Sequence, residues 1–346
     1  MGLNKRLINQ EGVSGPVGTD HFDIITYTGN GNNNRSFSSL DFSPNWVWFK
    51  NRSIGSSPSG PFSHSLYDTF RGTEKELKTD SNQEEQNNTD GLTNFDSNGF
   101  TIGDDPGTNF SNQHTYVAWC WKASNTTSTN YQGQITSYTN VNDDAGFAIV
   151  KTTFEGGARD IGHGMASTPE LIIGKKYGGG GGNWSVYHKD LGNNQGLLLN
   201  SSSAVNSAYD YYDEAPTSTT FKYDMSGSGG NIYYLFYSVD GYQKVGSYSG
   251  TGTTSSFTGF GFEPRWIMIK SAASGDWWIF DNVRGNNKGI RANLSSQEDT
   301  TDADANTNEY RINFLSDGFQ YEIDNSTNAS SALNAHNVTY IYLAIA

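Results

Sequence analysis

The stretch Phe42–Lys50 reads Phe-Ser-Pro-Asn-Trp-Val-Trp-Phe-Lys, and Phe262–Lys270 repeats it as Phe-Glu-Pro-Arg-Trp-Ile-Met-Ile-Lys. In both copies a proline precedes a short run of large apolar residues, which is typical of a β-strand that begins after a turn. Alternate side chains of such a strand lie on one face, so a run this apolar covers both faces. The repeat therefore predicts two copies of a unit built around a buried strand.

Further landmarks occur in the same order in both halves of the chain. They pair Tyr27–Gly29 with Tyr248–Gly250, Leu66–Gly72 with Ile279–Gly285, Phe95–Phe100 with Phe314–Phe319, and Thr115–Trp119 with Thr339–Leu343. A more diverged third copy lies between them, with Pro169–Lys175 as its apolar strand. The order predicts an arm at 1–20 followed by three units, at 21–133, 134–241 and 242–346.

The composition favours an all-β fold. Of 346 residues, 34% are hydrophobic, 14% aromatic and 17% charged, and 40 are glycine, a mixture that supplies turns and half-buried strands rather than long helices. We expect tandem antiparallel β-sandwich domains, jelly-roll-like and arranged in a row, preceded by the extended N-terminal arm. The single cysteine, Cys120, cannot form an intramolecular disulfide, so packing must stabilise the units.

The formal net charge of −14 opposes contact with phosphate-rich partners. Nucleic acids and anionic lipid surfaces are bound by clusters of Lys and Arg. No apolar run approaches the ~18 residues of a membrane span, and the opening residues show no signal-peptide core. We therefore expect no nucleic-acid partner, no membrane insertion and synthesis in a cytoplasm.

The two similar units each carry an aspartate and an arginine after the second strand. These are Asp68 with Arg71 and Asp281 with Arg284. An arginine there can clamp a ligand, but a pair that recurs beside the same strand is better explained by an internal salt bridge or by a carboxylate that accepts bonds from loop amides. The middle unit has His188 in place of the aspartate, which argues against a shared catalytic role.

Two stretches resemble ligand-binding loops. The oxygen-bearing side chains of Asp302, Asp304 and Asn306 have the spacing of a calcium loop, but its glycine and final glutamate are missing, so a solvated acidic loop is the simpler interpretation. Gly178–Gly182 lies between two strands, which predicts a flexible hairpin tip rather than a phosphate-binding loop. We expect no cofactor and no bound metal.

Aromatic residues are the remaining candidates for a binding site. Trp277 and Trp278 are adjacent, so we expect one of the two rings to lie outside the core. Tyr211 and Tyr212 belong to an acidic, aromatic loop. Rings flanked by carboxylates and amides are suited to stacking on sugars. These four residues are our candidates for glycan contact, and core filling or a subunit contact explains them equally well.

The repeat also resembles a family of phage proteins. The motifs that carry the resemblance are Leu3–Asn9, Phe42–Lys50, Leu66–Gly72, Phe95–Phe100, Thr115–Ala123, Gly162–Gly164, Pro169–Ile173, Trp184–His188, Pro216–Ser218 and Gly241–Tyr248. They are similar to those of the repeat-built virion proteins of marine bacteriophages, often labelled tail fibre or structural protein. The resemblance covers nearly the whole chain and implies a non-enzymatic particle component, in a tail appendage or on the capsid surface.

Our leading hypothesis is therefore a tail-fibre or appendage protein. The arm residues Leu3, Lys5, Arg6, Leu7 and Ile8 would insert into a tail or capsid partner, and the units would project outward to meet host-surface polysaccharide. We expect a homo-oligomer that is assembled in the host cytoplasm and exposed on the virion.

Two alternatives stay open. The chain could be a head-decoration or knob protein that binds the capsid shell, since no heptad segment indicates the trimeric shaft of a long fibre. It could also be a glycan-degrading enzyme, which would need two carboxylates ~5–10 Å apart in a groove. Glu322–Asp324 is the nearest stretch to such a pair.

Overall fold

The computed structural model describes residues 19–53, 62–111, 114–154, 156–192, 194–209, 211–225, 229–300, 310–323 and 333–346. In these ranges the predicted all-β fold is confirmed, and the strands of every sheet pair antiparallel. The stretch that begins at Trp46 is a fully buried strand. Its residues contribute alternately to two different buried clusters, Trp46 and Trp48 to one and Val47 and Phe49 to the other.

The strands fall into three groups along the chain. The first unit contains β1 Phe22–Thr28, β2 Arg35–Phe37, β3 Trp46–Asn51, β4 Ser65–Asp68, β5 Lys75–Glu76, β6 Gln86–Asn87, β7 Leu92–Asp96, β8 Gly99–Ile102, the short helix α1 Pro106–Asn109 and β9 Thr115–Trp121. The second contains β10 Ser128–Asn130, β11 Ser137–Asn142, β12 Phe147–Phe154, β13 Gly157–Gly162, β14 Leu171–Lys176, β15 Trp184–His188, β16 Leu197–Leu198, β17 Thr220–Met225 and β18 Gly229–Phe236, with 3-10 turns at Lys189–Leu191 and Ser207–Tyr209. The third contains β19 Gln243–Ser249, β20 Ser255–Thr258, β21 Trp266–Ser271, β22 Trp277–Asp281, β23 Lys288–Arg291, β24 Asp299–Thr300, β25 Tyr310–Leu315, β26 Gly318–Ile323 and β27 Thr339–Ile345.

Each unit has an inner and an outer sheet. The strand order β1-β9-β3-β4 of the first inner sheet recurs as β12-β18-β14-β15 in the second and as β19-β27-β21-β22 in the third. The outer sheets are β2-β8-β7, β13-β17 and β20-β26-β25, and each covers a separate buried cluster on one face of its inner sheet. The units are therefore two-layered and repeat one topology.

The inner sheets turn their remaining faces toward one another. One cluster of buried side chains draws on all three units. In it Trp46 of the first unit stacks on Tyr234 of the second, with ring centroids 4.2 Å apart, and Trp121 packs edge-on against Trp266 of the third at 5.6 Å. Since burying one large apolar side chain contributes about 1.5–3 kcal/mol, this shared core links the stability of the three units.

The three units contact one another in pairs, and we call the interface between two units a seam. One backbone hydrogen bond crosses each seam at the same position of the repeat. The N–H groups of Glu85, Val205 and Glu298 donate to the carbonyl oxygens of Tyr177, Ala272 and Arg52, at 3.0, 2.8 and 3.1 Å. These bonds run from the first unit to the second, from the second to the third, and from the third back to the first. The three units thus form a closed ring.

The closed ring corrects two expectations. An arrangement in a row is wrong, because a row would leave its end units apart, whereas the third unit contacts the first directly. The boundary expected at 133 also falls too late, since β10 pairs with β11 in the inner sheet of the second unit. Among the described residues, no helix is both long and apolar enough to span a membrane.

Candidate functional site

In each unit an aromatic side chain with a nitrogen in its ring lies at the same position of the repeat, near the start of β4, β15 or β22. This nitrogen forms a hydrogen bond with a backbone carbonyl of the neighbouring unit. Nε2 of His64 bonds to the carbonyl of Arg291 at 3.0 Å, Nε1 of Trp184 to that of Lys78 at 2.8 Å, and Nε1 of Trp277 to that of Leu198 at 2.9 Å. All three side chains are buried. These three hydrogen bonds are a second set that links all three units. Trp277 takes part in this set and is therefore in the interior of the protein.

His64 is the histidine member of this set. Trp48 Nε1 donates to its Nδ1 at 2.8 Å, which leaves Nε2 to donate to the carbonyl of Arg291. Burial is the main cause that holds the pKa of His64 well below its ordinary value. The imidazole is thus neutral at pH 7, and both of its nitrogens are occupied by structural hydrogen bonds.

The predicted pair of Asp68 and Arg71 forms a buried ion pair. Arg71 Nε donates to Asp68 Oδ2 at 2.6 Å, and Asp68 Oδ1 accepts the backbone N–H groups of Phe70 and Arg71 at 3.0 Å. The predicted salt bridge and the predicted bonds to loop amides are both confirmed. Tyr234 of the second unit adds a bond from its hydroxyl to Asp68 Oδ2 at 2.8 Å, so the pair also closes a seam.

The corresponding pair in the third unit repeats this arrangement. Arg284 Nε donates to Asp281 Oδ2 at 2.5 Å, and Trp119 of the first unit donates its Nε1 to the same oxygen at 3.0 Å. Arg284 Nη1 also donates to Glu298 Oε2 at 3.0 Å, and Arg52 of the first unit holds that carboxylate at 2.7 Å. The two arginines lower the pKa of Glu298 despite its burial.

The second unit has no such pair. His188 is buried at the aspartate position, and Leu191 stands at that of the arginine. The strand register places Leu343 of the third unit where Tyr234 and Trp119 stand in the other two. Burial is the main cause that lowers the pKa of His188 to about 4. The seam between the second and third units is therefore uncharged at this position.

Three lysines at the ends of the apolar strands are buried in equivalent places, namely Lys50, Lys175 and Lys270. Their amines donate to backbone carbonyls: Lys50 to Phe62 and Ser295, Lys175 to Gly182, and Lys270 to Ser203, Ser271 and Ala273. Burial lowers the pKa of Lys50 and Lys270 to about 8, and burial with the nearby Arg71 lowers that of Lys175 to about 7. An amine with so low a pKa can act as a base or nucleophile, but these three are covered and bind structural carbonyls.

The expectation that one of the two tryptophan rings lies outside the core is wrong, and Tyr212, another glycan candidate, is buried as well. The indole Nε1 of Trp277 donates a hydrogen bond to the carbonyl of Leu198, and Trp278 packs in the cluster beneath the outer sheet of the third unit. Tyr212 lies within the corresponding cluster of the second unit, and Tyr211 is half-buried beside Tyr223. Both faces of β22 are covered because one faces the shared core and the other an outer sheet, so adjacency of two tryptophans did not require an exposed ring.

Other predicted residues lie outside the described ranges or are used structurally. The calcium candidates Asp302, Asp304 and Asn306 and the arm residues Leu3, Lys5, Arg6, Leu7 and Ile8 lie outside the described residues. Cys120 is buried, and burial raises the pKa of its thiol. The Gly178–Gly182 stretch connects β14 to β15 as predicted, and its Gly182 N–H donates to Asn82 of the first unit at 2.8 Å. In the described part of the chain no group of three or more His, Cys, Asp or Glu could hold a metal ion.

A small pocket of about 170 Å³ opens in the first unit. Its lining consists of Phe62, Ser63, Ser65, Glu76, Lys78, Asp105, Pro106 and Gly107. Burial raises the pKa of both Glu76 and Asp105, and each carboxylate accepts a hydrogen bond, from Ser65 Oγ at 2.5 Å and from the N–H of Gly107 at 2.8 Å. These two carboxylates line the pocket and are one pair that the enzyme hypothesis can use, whereas Asp324 of the expected stretch Glu322–Asp324 lies outside the described residues. Sites for drug-sized ligands are larger, about 300–1,000 Å³.

A family model described as Domain of unknown function (DUF7483) matches residues 17–346. The chain belongs to this family. The match runs through all three units, as expected for a DUF7483 domain that is one closed ring rather than three separable domains. No curated protein matches the chain.

In this DUF7483 domain, sequence reasoning missed the residues that are displayed. Three large apolar side chains are exposed among the described residues: Tyr131 at 76%, Val283 at 43% and Tyr138 at 42%. The two tyrosines flank the β10–β11 turn. A signal was present in the sequence, since the turn joins two stretches rich in Ser, Thr and Asn that have no counterpart in the other copies.

Proposed function

We propose that the chain is a non-enzymatic structural protein of a bacteriophage particle, of the tail-fibre or appendage type. In this proposal the N-terminal arm anchors the chain to other virion proteins, and the ring of three units is displayed for attachment to host-surface glycans. The motif resemblance to repeat-built virion proteins suggests the particle, and the use of the repeated polar residues supports a structural role.

The observation that carries the proposal is what the repeated polar groups bind. The pairs Asp68–Arg71 and Asp281–Arg284 accept bonds from rings of the neighbouring unit, and Lys50 and Lys270 reach carbonyls across a seam. Groups of this kind would converge on a groove in a repeat-built enzyme. In this protein the repeated polar groups bind neighbouring units and close the ring. This use is consistent with a stable structural protein that presents its surface to a host.

The entry of the chain into the ring fits an anchoring arm. The carbonyl of His21 accepts the N–H of Lys122 at 2.8 Å, and its Nδ1 lies 3.0 Å from Nδ2 of Asn142 in the second unit. The ring therefore holds the chain firmly from this residue onward. An N-terminal segment that leaves from a fixed point can bind a neighbouring protein without disturbing the three units.

A head-decoration protein is the second candidate. The closed ring is a compact knob, and such a body can cap a capsid subunit as well as the end of a tail appendage. Both candidates place the chain on the outside of a particle.

Imaging of intact particles with the chain tagged at its C-terminus tests the proposal and separates the two candidates. We expect label on the tail for an appendage and label over the shell for decoration, and we expect deletion of 1–20 to abolish incorporation. The matched control is Val283→Ala, an exposed change within the ring that should incorporate normally. Particles without label would contradict both candidates.

The enzyme alternative has its own readout. Release of reducing sugar from a polysaccharide by the purified chain, lost in Glu76→Gln and Asp105→Asn, would contradict the structural proposal. We expect no release from the wild-type chain.

A further inference from the structure

Among the described residues, one hairpin of the ring has no counterpart in the other units. The described inner sheets of the first and third units begin at β1 and β19, which correspond to β12 in the second. The second unit adds β10 and β11 beyond β12, and both exposed tyrosines belong to this addition. The inner strands that recur in all three units have a role in closing the ring of units. The β10–β11 hairpin does not recur, so it needs another explanation.

Both tyrosines are exposed on the same hairpin. Thr129 stands directly opposite Tyr138 in the register, and Tyr131 follows two residues after Thr129. Ser128, Thr129, Tyr131 and Gln132 are exposed, and Asn130 is half-buried. Tyr131 and Tyr138 are therefore both exposed on one short hairpin, the first directly after β10 and the second on β11.

The loop that presents Tyr131 is fastened on its other side to β13. Gln134 N–H donates to the carbonyl of Asp160 at 2.8 Å, and Ser137 Oγ donates to that of Gly162 at 2.6 Å. Gly133 lies so close to β13 that a Cβ there would stand 2.3 Å from the Asp160 carbonyl oxygen. A ring held on a fixed loop loses little conformational freedom when a ligand stacks on it.

One face of the inner sheet of the second unit borders the first unit. Lys151, opposite Tyr138 on β12, donates its Nζ to the carbonyl of Phe70 at 3.0 Å, and Asn140 Nδ2 lies 3.5 Å from Oγ1 of Thr69. Tyr138 therefore lies on the face of the inner sheet that borders the first unit.

The surroundings of the rings select among ligand classes. Residues 123–142 contain no Asp, Glu, Lys, Arg or His, although the whole chain carries a formal charge of −14. The hairpin side chains near the rings carry hydroxyls and amides, as in Thr129, Gln132 and Thr136, and the cation opposite Tyr138, Lys151, donates to the carbonyl of Phe70. Aromatic faces with neutral hydrogen-bonding groups suit a saccharide, whose C–H groups stack while its hydroxyls exchange hydrogen bonds. A charged partner would find no opposite charge on this hairpin.

We propose that the β10–β11 hairpin binds a neutral saccharide, with Tyr131 and Tyr138 as its stacking residues. The assignment deepens the proposed attachment function and rests on it for the identity of the ligand source. It moves glycan contact from the residues expected in the third unit to an element that only the second unit adds.

Binding of the full chain to immobilised neutral polysaccharides tests the site. Dextran, mannan, laminarin and agarose serve as probes, with heparin as a charged comparator. We expect one or more neutral polymers to retain the wild type, and Tyr131→Ala or Tyr138→Ala to weaken that binding about tenfold, the effect of losing one well-placed ring. Tyr131→Phe keeps the stacking face and should bind within about threefold of wild type. Val283→Ala is the matched exposed control and should bind normally.

Several outcomes would overturn the assignment. No retention by any neutral polymer, or equal retention of wild type and the Tyr131→Ala, Tyr138→Ala double variant, would contradict it. So would dimerisation of the wild type, measured by sedimentation, that the double variant abolishes while saccharide binding persists, since the hairpin would then be a contact between copies. Saccharide binding lost in the double variant, together with absence of the chain from particles, would retain the site and contradict the virion function. Presence on particles with unchanged binding in the double variant would do the reverse.

Discussion

A buried Asp–Arg pair distinguishes both seams of the first unit from the seam between the second and third units. At both seams of the first unit, a buried aspartate paired with arginine accepts a bond from an aromatic residue of the neighbour, Tyr234 for Asp68 and Trp119 for Asp281. At the remaining seam the equivalent residues are His188 and Leu343, and neither carries a charge. The backbone bond and the ring-nitrogen bond are present at all three seams.

The comparison separates two kinds of contact between the units. Hydrogen bonds to backbone carbonyls are common to all three seams, whereas Asp–Arg pairs are present at two. Such hydrogen bonds join the second and third units without an Asp–Arg pair. A buried ion pair contributes little net stability, because desolvation offsets most of the attraction, but removal of one partner leaves an expensive unpaired charge. We infer that the Asp–Arg pairs fix the register of two seams, and that the third seam keeps its register without them.

The largest expected effect comes from breaking a charged seam. Asp68→Ala leaves buried Arg71 with Glu85 at 3.7 Å, whereas Asp281→Ala leaves Arg284 with Glu298 at 3.0 Å. We expect losses in unfolding free energy of about 4 kcal/mol for Asp68→Ala and about 3 kcal/mol for Asp281→Ala, within the range for an orphaned buried charge. Urea unfolding followed by tryptophan fluorescence measures both.

A double variant shows whether the orphaned charge is the cause. Asp68→Leu combined with Arg71→Met removes both charges and should lose less stability than Asp68→Ala alone. An equal or greater loss in the double variant would mean that the pair stabilises the seam through its own attraction.

The reverse change tests the uncharged seam. His188→Asp restores the residue of the repeat, but Leu191 offers no cation and Leu343 no ring donor. We expect a loss of about 3 kcal/mol, because the carboxylate is buried without a partner. His188→Asn is the neutral control, and addition of Leu191→Arg should recover part of the loss. Wild-type stability for His188→Asp would show that the aspartate does not depend on the neighbouring unit.

Much of the strand layout could be predicted from the sequence. The strands at Trp46, Leu171 and Trp266 were evident because an apolar run buried on both faces is visible in one dimension. The internal role of Asp68 and Arg71 was evident because the pair recurs beside the same strand. Both inferences use neighbours along the chain or the repeat itself.

The ring and the displayed hairpin could not be predicted. Closure depends on contacts between residues far apart in the chain, such as Trp277 with Leu198, and no local pattern distinguishes a ring from a row. For the same reason one of the rings of Trp277 and Trp278 was expected outside the core, since the local sequence does not show that the shared core covers one face of β22 and the outer sheet of the same unit the other. The exposed Tyr131 lies in a stretch that the repeat does not contain, so the comparison of copies gave it no weight.

A smaller effect is expected from the buried lysines, through pH. Burial lowers the pKa of Lys175 to about 7 from 10.5, so between pH 7 and about 9.5 the unfolded chain binds more protons than the folded one, and stability rises with pH. Lys175→Met should remove on the order of 2 kcal/mol of the rise between pH 7 and pH 9. Thermal or urea unfolding at each pH measures it, and the window ends near pH 10, where buried tyrosines such as Tyr223 with raised pKa values begin to reverse the slope. A wild-type stability that falls between pH 7 and pH 9 would contradict the lowered pKa of Lys175.

The smallest effect is expected from a partly exposed pair at the seam between the first and third units. Arg265 Nη2 lies 2.8 Å from Asp23 Oδ1, with roughly a fifth of each side chain exposed (23% and 21%). Asp23→Asn keeps an oxygen to accept the N–H of Ile24 and removes only the charge. We expect a loss of about 0.5 kcal/mol at low salt that disappears at about 1 M salt, because water and ions screen this pair. The loss in Asp281→Ala should persist at the same salt concentration, since its arginine is shielded from solvent. If Asp23→Asn and Asp281→Ala showed equal salt dependence, burial would not determine how strongly salt screens the charged contacts between units.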